Sequence, residues 1–162
     1  VTPKHGSALY VSKEYWEYRF EREGEKEWLA DPETVLGLLR GWIGHVEGVG
    51  RDVLVVGCGN SALSSALSRE EWVKEVLSTD YSASVIAAMK SKYGAEEGRL
   101  QWAVADMSEL STQFKSRKFS SILDKGALDA VVADGGDSWS PPDATLARGL
   151  QCVEEMSKVL QE

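Results

Sequence analysis

The fold of this chain is decided by the stretch VLVVGCGNS, which spans residues 53–61. Its first four residues are apolar and three of them are β-branched, a composition typical of a strand buried on both faces of a parallel sheet. Gly57 and Gly59 then allow a sharp turn and a close approach of the backbone to a ligand. The Asn-Ser pair that follows can cap a helix beginning at Ala62. This order predicts a nucleotide-binding cradle, although a purely structural turn fits the same residues.

Strands and helices alternate along the rest of the chain. Further strands are predicted at residues 75–79, 100–105 and 119–123. Helices are predicted at 13–22, 31–45, 62–69, 82–93 and 108–115, and from residues 127 and 143 onward. This alternation predicts one α/β domain over residues 1–162, with a Rossmann-like doubly wound, mostly parallel sheet. The carboxyl ends of such strands gather at one edge of the sheet, where ligands bind.

Two helices carry apolar stripes that we expect to face the core. The helix after the Asp31-Pro32 cap has the stripe Val35, Leu36, Leu39, Trp42, Ile43 and Val46. The last helix has the stripe Leu146, Leu150, Val153 and Leu160.

Composition excludes several classes of function. The 162 residues carry a net charge of −8, which argues against general binding to nucleic acid backbones. No apolar run approaches the roughly 18 residues that a membrane span requires. Two cysteines are too few for a disulfide scaffold, so we expect reduced thiols and a cytoplasmic location. Neither His5 nor His45 has a second ligand at metal-binding spacing, so no metal site is expected.

Acidic residues at two strand ends narrow the choice of nucleotide. Asp80 ends the second strand about 20 residues after the glycine turn, where a carboxylate accepts both hydroxyl protons of a ribose. A nicotinamide-dependent enzyme fits this acid, but its short-chain form needs a Tyr-x-x-x-Lys pair, which the chain lacks. S-adenosyl-L-methionine also gives a role to Asp106, near the adenine amine, and lets Tyr81 and Met107 flank the adenine ring. We therefore favour a methyl donor.

Four separated motifs resemble one family. They are VVGCGNSALS at residues 55–64, DYS at 80–82, DKGALDA at 124–130 and EYWEYRF at 14–20. Together they are similar to the seven-β-strand (class I) S-adenosylmethionine-dependent methyltransferases over about residues 12–160. Within that class they resemble the group that methylates lysine on eukaryotic elongation factor 1-alpha, which includes the endothelin-converting enzyme 2-like methyltransferases.

The resemblance implies roles for particular residues. Aromatic side chains of the N-terminal segment would close over the cofactor, and the two glycines of the turn would lie under its methionine moiety. Lys125 would line the methionine end or the substrate channel, although a solvent-facing lysine is the alternative. Asp124 would contact the substrate amine as the catalytic residue. The expected cofactor-binding set is Trp16, Phe20, Trp28, Gly57, Gly59, Asp80, Tyr81, Asp106, Met107 and Lys125.

The N-terminal segment has one feature that stays open at this stage, the role of its aromatic helix. The aromatic helix at 13–22 fits either a lid over the cradle or an amphipathic helix held against the core. Residues 21–27 are almost all charged, and we expect them to be solvated. Phe20 stands where the family group has tyrosine, which removes a hydroxyl contact.

The family's sheet has seven strands, whereas four are predicted here. We expect the C-terminal strands to be missing from this chain, which leaves the fourth strand as an edge open to self-association, and such a fragment could be inactive. The protein partner implied by the resemblance is elongation factor 1-alpha. A methyltransferase with a small-molecule substrate, a non-catalytic binding protein and a nicotinamide-dependent enzyme remain alternatives.

Overall fold

The structure, a computed structural model, describes residues 9–43, 50–94, 98–133 and 141–161. Its strands are β1 (Arg51–Val56), β2 (Val73–Asp80), β3 (Leu100–Val104) and β4 (Ser121–Asp124). Its helices are α1 (Lys13–Phe20), α2 (Pro32–Ile43), α3 (Leu63–Ser68), α4 (Ala83–Tyr93), α5 (Leu110–Phe114), α6 (Ala127–Val132) and α7 (Asp143–Val159).

The four strands form one parallel sheet in the order β3-β2-β1-β4. Val53 of β1 pairs with Val76 of β2 on one side and with Ser121 of β4 on the other. Phe119, two residues before β4, forms an isolated parallel bridge with Leu160. This arrangement places the carboxyl ends of β1, β2 and β3 beside one another at the same edge of the sheet.

Helices cover both faces of the sheet, because alternate residues of each buried strand point to opposite sides. Val53 and Val55 pack with α2, α3 and α4 in one core cluster. Leu54 and Val56 pack with α5, α6 and α7 in the other. The predicted doubly wound α/β fold is therefore confirmed for the described residues.

The predicted core faces of two helices are partly wrong. The four residues of the expected stripe, three in α7 and Leu160 just after it, are exposed, between 39% for Leu160 and 60% for Leu150. The residues of α7 that are buried instead are Thr145, Cys152, Glu155 and Val159. In α2 Leu36 is buried, but Trp42 is 85% exposed. Periodicity identifies an apolar face, but it does not identify which neighbour covers that face.

Some predictions lie outside the described residues. They include the predicted extension of the second helix to His45, the side chains of Ile43 and Val46, and His5. In the part of the chain that is described, no helix has the length and hydropathy of a membrane span.

Candidate functional site

The turn after β1 has the conformation that its glycines predict. Gly57 has φ +57° and Gly59 has φ +51°, values that L-residues with a side chain rarely adopt. A Cβ at Gly57 would lie 2.1 Å from the Cβ of Ala127 at the start of α6. A Cβ at Gly59 would lie 3.5 Å from the ring of Phe20. Gly57 therefore faces α6, and Gly59 faces the N-terminal segment.

Capping of α3 differs from the expectation. The Ser61 hydroxyl accepts a hydrogen bond from the Leu63 N–H at 3.1 Å, as a cap does. The Asn60 side chain instead donates to the carbonyls of Glu23 and Gly24. Asn60 thus ties the turn to the N-terminal segment and does not cap the helix.

Asp80 ends β2 directly beside the glycine turn. One carboxylate oxygen accepts the Gly59 N–H at 3.0 Å, and the other accepts the Ser82 N–H at 2.9 Å. The residue is only 4% exposed, and this burial raises the pKa of its carboxyl while the two backbone donors oppose the shift. Asp80 forms no ion pair with any other described residue. A carboxylate offers about four lone pairs, so two remain for further donors.

The other residues expected around adenine lie in different environments. Asp106, which follows β3, is exposed, and its Oδ1 accepts the N–H and the hydroxyl of Ser108. Tyr81 is half-buried, which raises the pKa of its phenol, and the charges of Asp80 and Asp106 both add to this shift. Asp80 pairs with Val104 at the end of β3, and the Ala105 N–H donates to the Asp80 carbonyl at 3.0 Å, so Asp80 and Asp106 follow neighbouring strands at the same edge of the sheet. Met107, in contrast, is buried among the core residues beneath α5 and α6.

Residues 9–31, which we call the N-terminal lid, lie over this edge of the sheet. The Trp16 ring stacks on Phe20 at a centroid distance of 5.7 Å and meets the edge of Trp28 at 5.7 Å. Glu17 of α1 accepts the Ser84 hydroxyl at 2.6 Å, and the Lys13 ammonium lies 5.4 Å from the centre of the Tyr81 ring. The three aromatic residues predicted to close over a ligand are thus brought together.

The lid is also partly held by the core. Phe20 packs against the core cluster of α2, α3 and α4, although no residue of α1 is fully buried. Phe20 therefore anchors this helix to the core, and its role as a lid over a ligand stays a prediction.

Asp124, predicted to contact a substrate amine, has a structural role that sequence reasoning did not include. Its carboxylate accepts backbone N–H groups of Gly126, Ala127 and Leu128 at 3.0–3.4 Å, at the start of α6. Burial raises the pKa of this carboxyl, and the three donors oppose the shift. Asp124 also borders an apolar groove of about 310 Å³ between α6 and α7. Its catalytic role stays a prediction.

Sequence reasoning missed Glu27, which it placed in a solvated segment. The Glu27 carboxylate accepts the Ser61 hydroxyl, the Ala62 N–H and the Lys125 ammonium at 2.6–2.8 Å. These partners lie 34 to 98 positions away along the chain, so no local pattern could identify them. Lys125 is correspondingly only 12% exposed and is not a solvent-facing lysine.

Within residues 9–43, 50–94, 98–133 and 141–161, no cluster of three or more His, Cys, Asp or Glu residues could hold a metal ion. Both cysteines are buried free thiols, and burial raises the pKa of each.

This geometry defines an α/β protein with a glycine turn and a buried acid at the carboxyl edge of a parallel sheet. Residues 53–139 match the methyltransferase domain family, so the chain belongs to that family. It is 32% identical to the EEF1A lysine methyltransferase 4 of Bos taurus, over 93% of this chain and 57% of that protein. It is also 34% identical to the eEF1A lysine and N-terminal methyltransferase of Bos taurus, over 99% of this chain and 21% of that protein. The chain thus spans little more than half of the first relative.

Solved structures confirm the fold. A S-adenosylmethionine-dependent methyltransferase from Clostridium acetobutylicum matches with a TM-score of 0.61 and 19% identity, over 83% of this chain and 48% of that one. The methyltransferase domain of bacterial CtHen1 matches with a TM-score of 0.54 and 14% identity, over 78% of this chain and 58% of that one.

Proposed function

We propose that this chain binds S-adenosyl-L-methionine and forms the cofactor-binding part of a protein-lysine N-methyltransferase. The observation that carries the proposal is the Asp80 carboxylate, which is buried at the end of β2, unpaired by any cation of the described residues and hydrogen-bonded to the glycine turn. Its two spare lone pairs match the two hydroxyl protons of a ribose. The same carboxylate would repel a 2′-phosphate, which argues against a phosphorylated dinucleotide.

The remaining residues have roles that follow from their positions. Asp106 offers its second oxygen, Oδ2, to the amino group of adenine, since its two observed bonds are both on Oδ1. Tyr81 directly follows Asp80 and offers its ring to adenine. Met107 is buried in the core, so it supports this region from below. Gly59, beneath Phe20, leaves room for the backbone to approach the ligand.

When bound, S-adenosyl-L-methionine supplies a methyl group on a sulfonium, which a neutral amine attacks in line. The lid residues Trp16, Phe20 and Trp28 exclude water from this edge of the sheet and hold the ligand in one orientation. Orientation of this kind supplies several kcal/mol of barrier reduction. A substrate lysine must first lose its proton, and we assign the contact with its amine to Asp124.

The substrate class is proposed from the named relatives. Curated relatives at 32–34% identity are eEF1A methyltransferases, so we propose elongation factor 1-alpha as the protein substrate. A cytoplasmic location belongs to the same proposal, because both described cysteines are free thiols.

Calorimetric titration tests the cofactor half of the proposal. S-adenosyl-L-homocysteine, the product, should bind the chain more tightly than nicotinamide adenine dinucleotide does. Asp80→Ala should weaken this binding at least tenfold, since hydrogen bonds to a charged group contribute about 1.5–3 kcal/mol each. Asp143→Ala, which removes an exposed acid at the start of α7, is the matched control. Absence of binding by the folded wild-type chain would refute the proposal, and tighter binding of the dinucleotide would replace it.

A further inference from the structure

A single carboxylate joins three separate parts of this molecule. Glu27 lies in the N-terminal lid, Ser61 and Ala62 lie in the turn after β1, and Lys125 lies in the turn after β4. Glu27 Oε2 accepts the Ser61 hydroxyl at 2.6 Å and the Lys125 ammonium at 2.7 Å, while Oε1 accepts the Ala62 N–H at 2.8 Å. Both carboxylate oxygens are thus engaged, and each bond crosses between parts of the chain that are distant in sequence.

Lys125 contributes all of its donors to the lid. Its ammonium has three N–H groups, and it donates to Glu27, to the Trp28 carbonyl at 2.9 Å and to the Ala30 carbonyl at 3.2 Å. The side chains of Lys125 and Glu27 are only 12% and 23% exposed, so the pair is partly shielded from water. In this arrangement all three N–H groups of Lys125 are used within the protein, so none is left for a ligand. The resemblance implies instead that Lys125 lines the methionine end or the substrate channel.

The Glu27–Lys125 pair is connected to the aromatic side chains of the lid through Trp28. Trp28 follows Glu27 directly and meets the edge of Trp16, which stacks on Phe20. Phe20 in turn covers Gly59. Glu27 is therefore connected, through Trp28 and Trp16, to the Phe20 ring that lies over the glycine turn.

We propose that Glu27 is a positioning residue, which with Lys125 forms a clasp that holds the N-terminal lid closed over the cofactor site. The inference rests on the proposed function, since the effect of the clasp is read in cofactor affinity. The apparent affinity of a ligand falls in proportion to the fraction of molecules in the binding-competent state. Loss of the clasp lowers the fraction of molecules in which the lid is closed, and this weakens binding. Glu27 has this effect without contacting the ligand.

Glu27→Gln tests the clasp with a side chain of the same size. The matched control is Glu21→Gln, which removes an exposed glutamate of the same lid whose ion pair is with its neighbour Arg22. Hydrogen exchange should become at least threefold faster at residues 12–30 in the Glu27 variant and stay unchanged in the peptides of β1 and β2. The dissociation constant for S-adenosyl-L-homocysteine should rise about tenfold, and the control should match the wild type in both measurements.

Non-additivity tests whether Glu27 and Lys125 act together as one clasp. Lys125→Met should weaken binding about as much as Glu27→Gln does. The double variant should bind no more weakly than the more affected single variant, because each substitution removes the same clasp. If the dissociation constant of the double variant rose by the product of the two single fold-changes, the proposal would be overturned. An unchanged dissociation constant in the Glu27 variant would overturn it as well. Failure of the wild type to bind would instead refute the proposed function, and the positioning role with it.

Discussion

Substitution of Gly57 by alanine should be among the most damaging single-methyl changes in the glycine turn. The new Cβ would lie 2.1 Å from the Cβ of Ala127, whereas carbon atoms in contact lie about 3.5–4.0 Å apart. The turn or α6 would have to move by more than about 1 Å, and such overpacking costs about 1–3 kcal/mol. The φ of +57° adds about 1–2 kcal/mol for a residue with a side chain. We expect the free energy of unfolding to fall by about 2–5 kcal/mol.

Gly59→Ala is the matched control for this prediction. Gly59 has a similar φ of +51°, but its Cβ would meet the Phe20 ring at 3.5 Å, which is an ordinary contact. Gly59→Ala should therefore lower the free energy of unfolding only by the cost of the positive φ, about 1–2 kcal/mol. Urea unfolding followed by circular dichroism measures both variants.

A second substitution at the contact isolates the packing part of the cost. Ala127→Gly removes the methyl that the new Cβ would strike, so the double variant should recover about 1–3 kcal/mol relative to the sum of the single effects. Equal costs for Gly57→Ala and Gly59→Ala, together with no recovery in the double variant, would refute the close approach of α6 to the turn.

Three further predictions concern titratable groups. Hydrogen bonds from Lys158 and Ser111 lower the pKa of Glu155 to about 2, so its stabilising effect is complete above the unfolded pKa of about 4.3 and is lost as the pH falls toward 2. Urea midpoints at pH 5 and pH 3 should therefore differ less in Glu155→Gln than in the wild type, and an equal difference would contradict this. Burial raises the pKa of Asp80, so affinity for S-adenosyl-L-homocysteine should rise with pH through that pKa. Titrations from acid to neutral pH that show no slope would contradict this. The buried Cys58 thiol should resist aromatic disulfide reagents in the native protein and react in urea, as mass analysis of the modified peptide would show.

The sequence was most informative where the decisive interactions are local. The apolar run of β1, the two glycines and the acid at the end of β2 each follow from neighbouring residues, and the structure places them as predicted. Ser12 and Asp31 also cap α1 and α2 as their positions indicate. In each case the physical requirement, whether burial, positive φ or a capping acceptor, acts within a few residues.

Long-range contacts explain what sequence reasoning could not predict. The charged composition around Glu27 indicates solvation, yet partners from two distant turns bring its carboxylate into a partly buried clasp. The resemblance assigns Asp124 a contact with a substrate amine and gives no sign that the start of α6 supplies three donors for its carboxylate. The Leu150 face of α7 is apolar, but among the described residues it borders a groove and not the core.

The central claim is that Asp80 holds the ribose of an adenosine-containing ligand. The most direct measurement compares the dissociation constants of S-adenosyl-L-homocysteine and of its 2′,3′-dideoxyribose analogue for the wild type and for Asp80→Ala. The account predicts that loss of the diol weakens binding to the wild type at least tenfold, and that it changes binding to the Asp80 variant little, since the acceptor is already absent. An equal loss in the two proteins would show that the diol is bound elsewhere and would contradict the account.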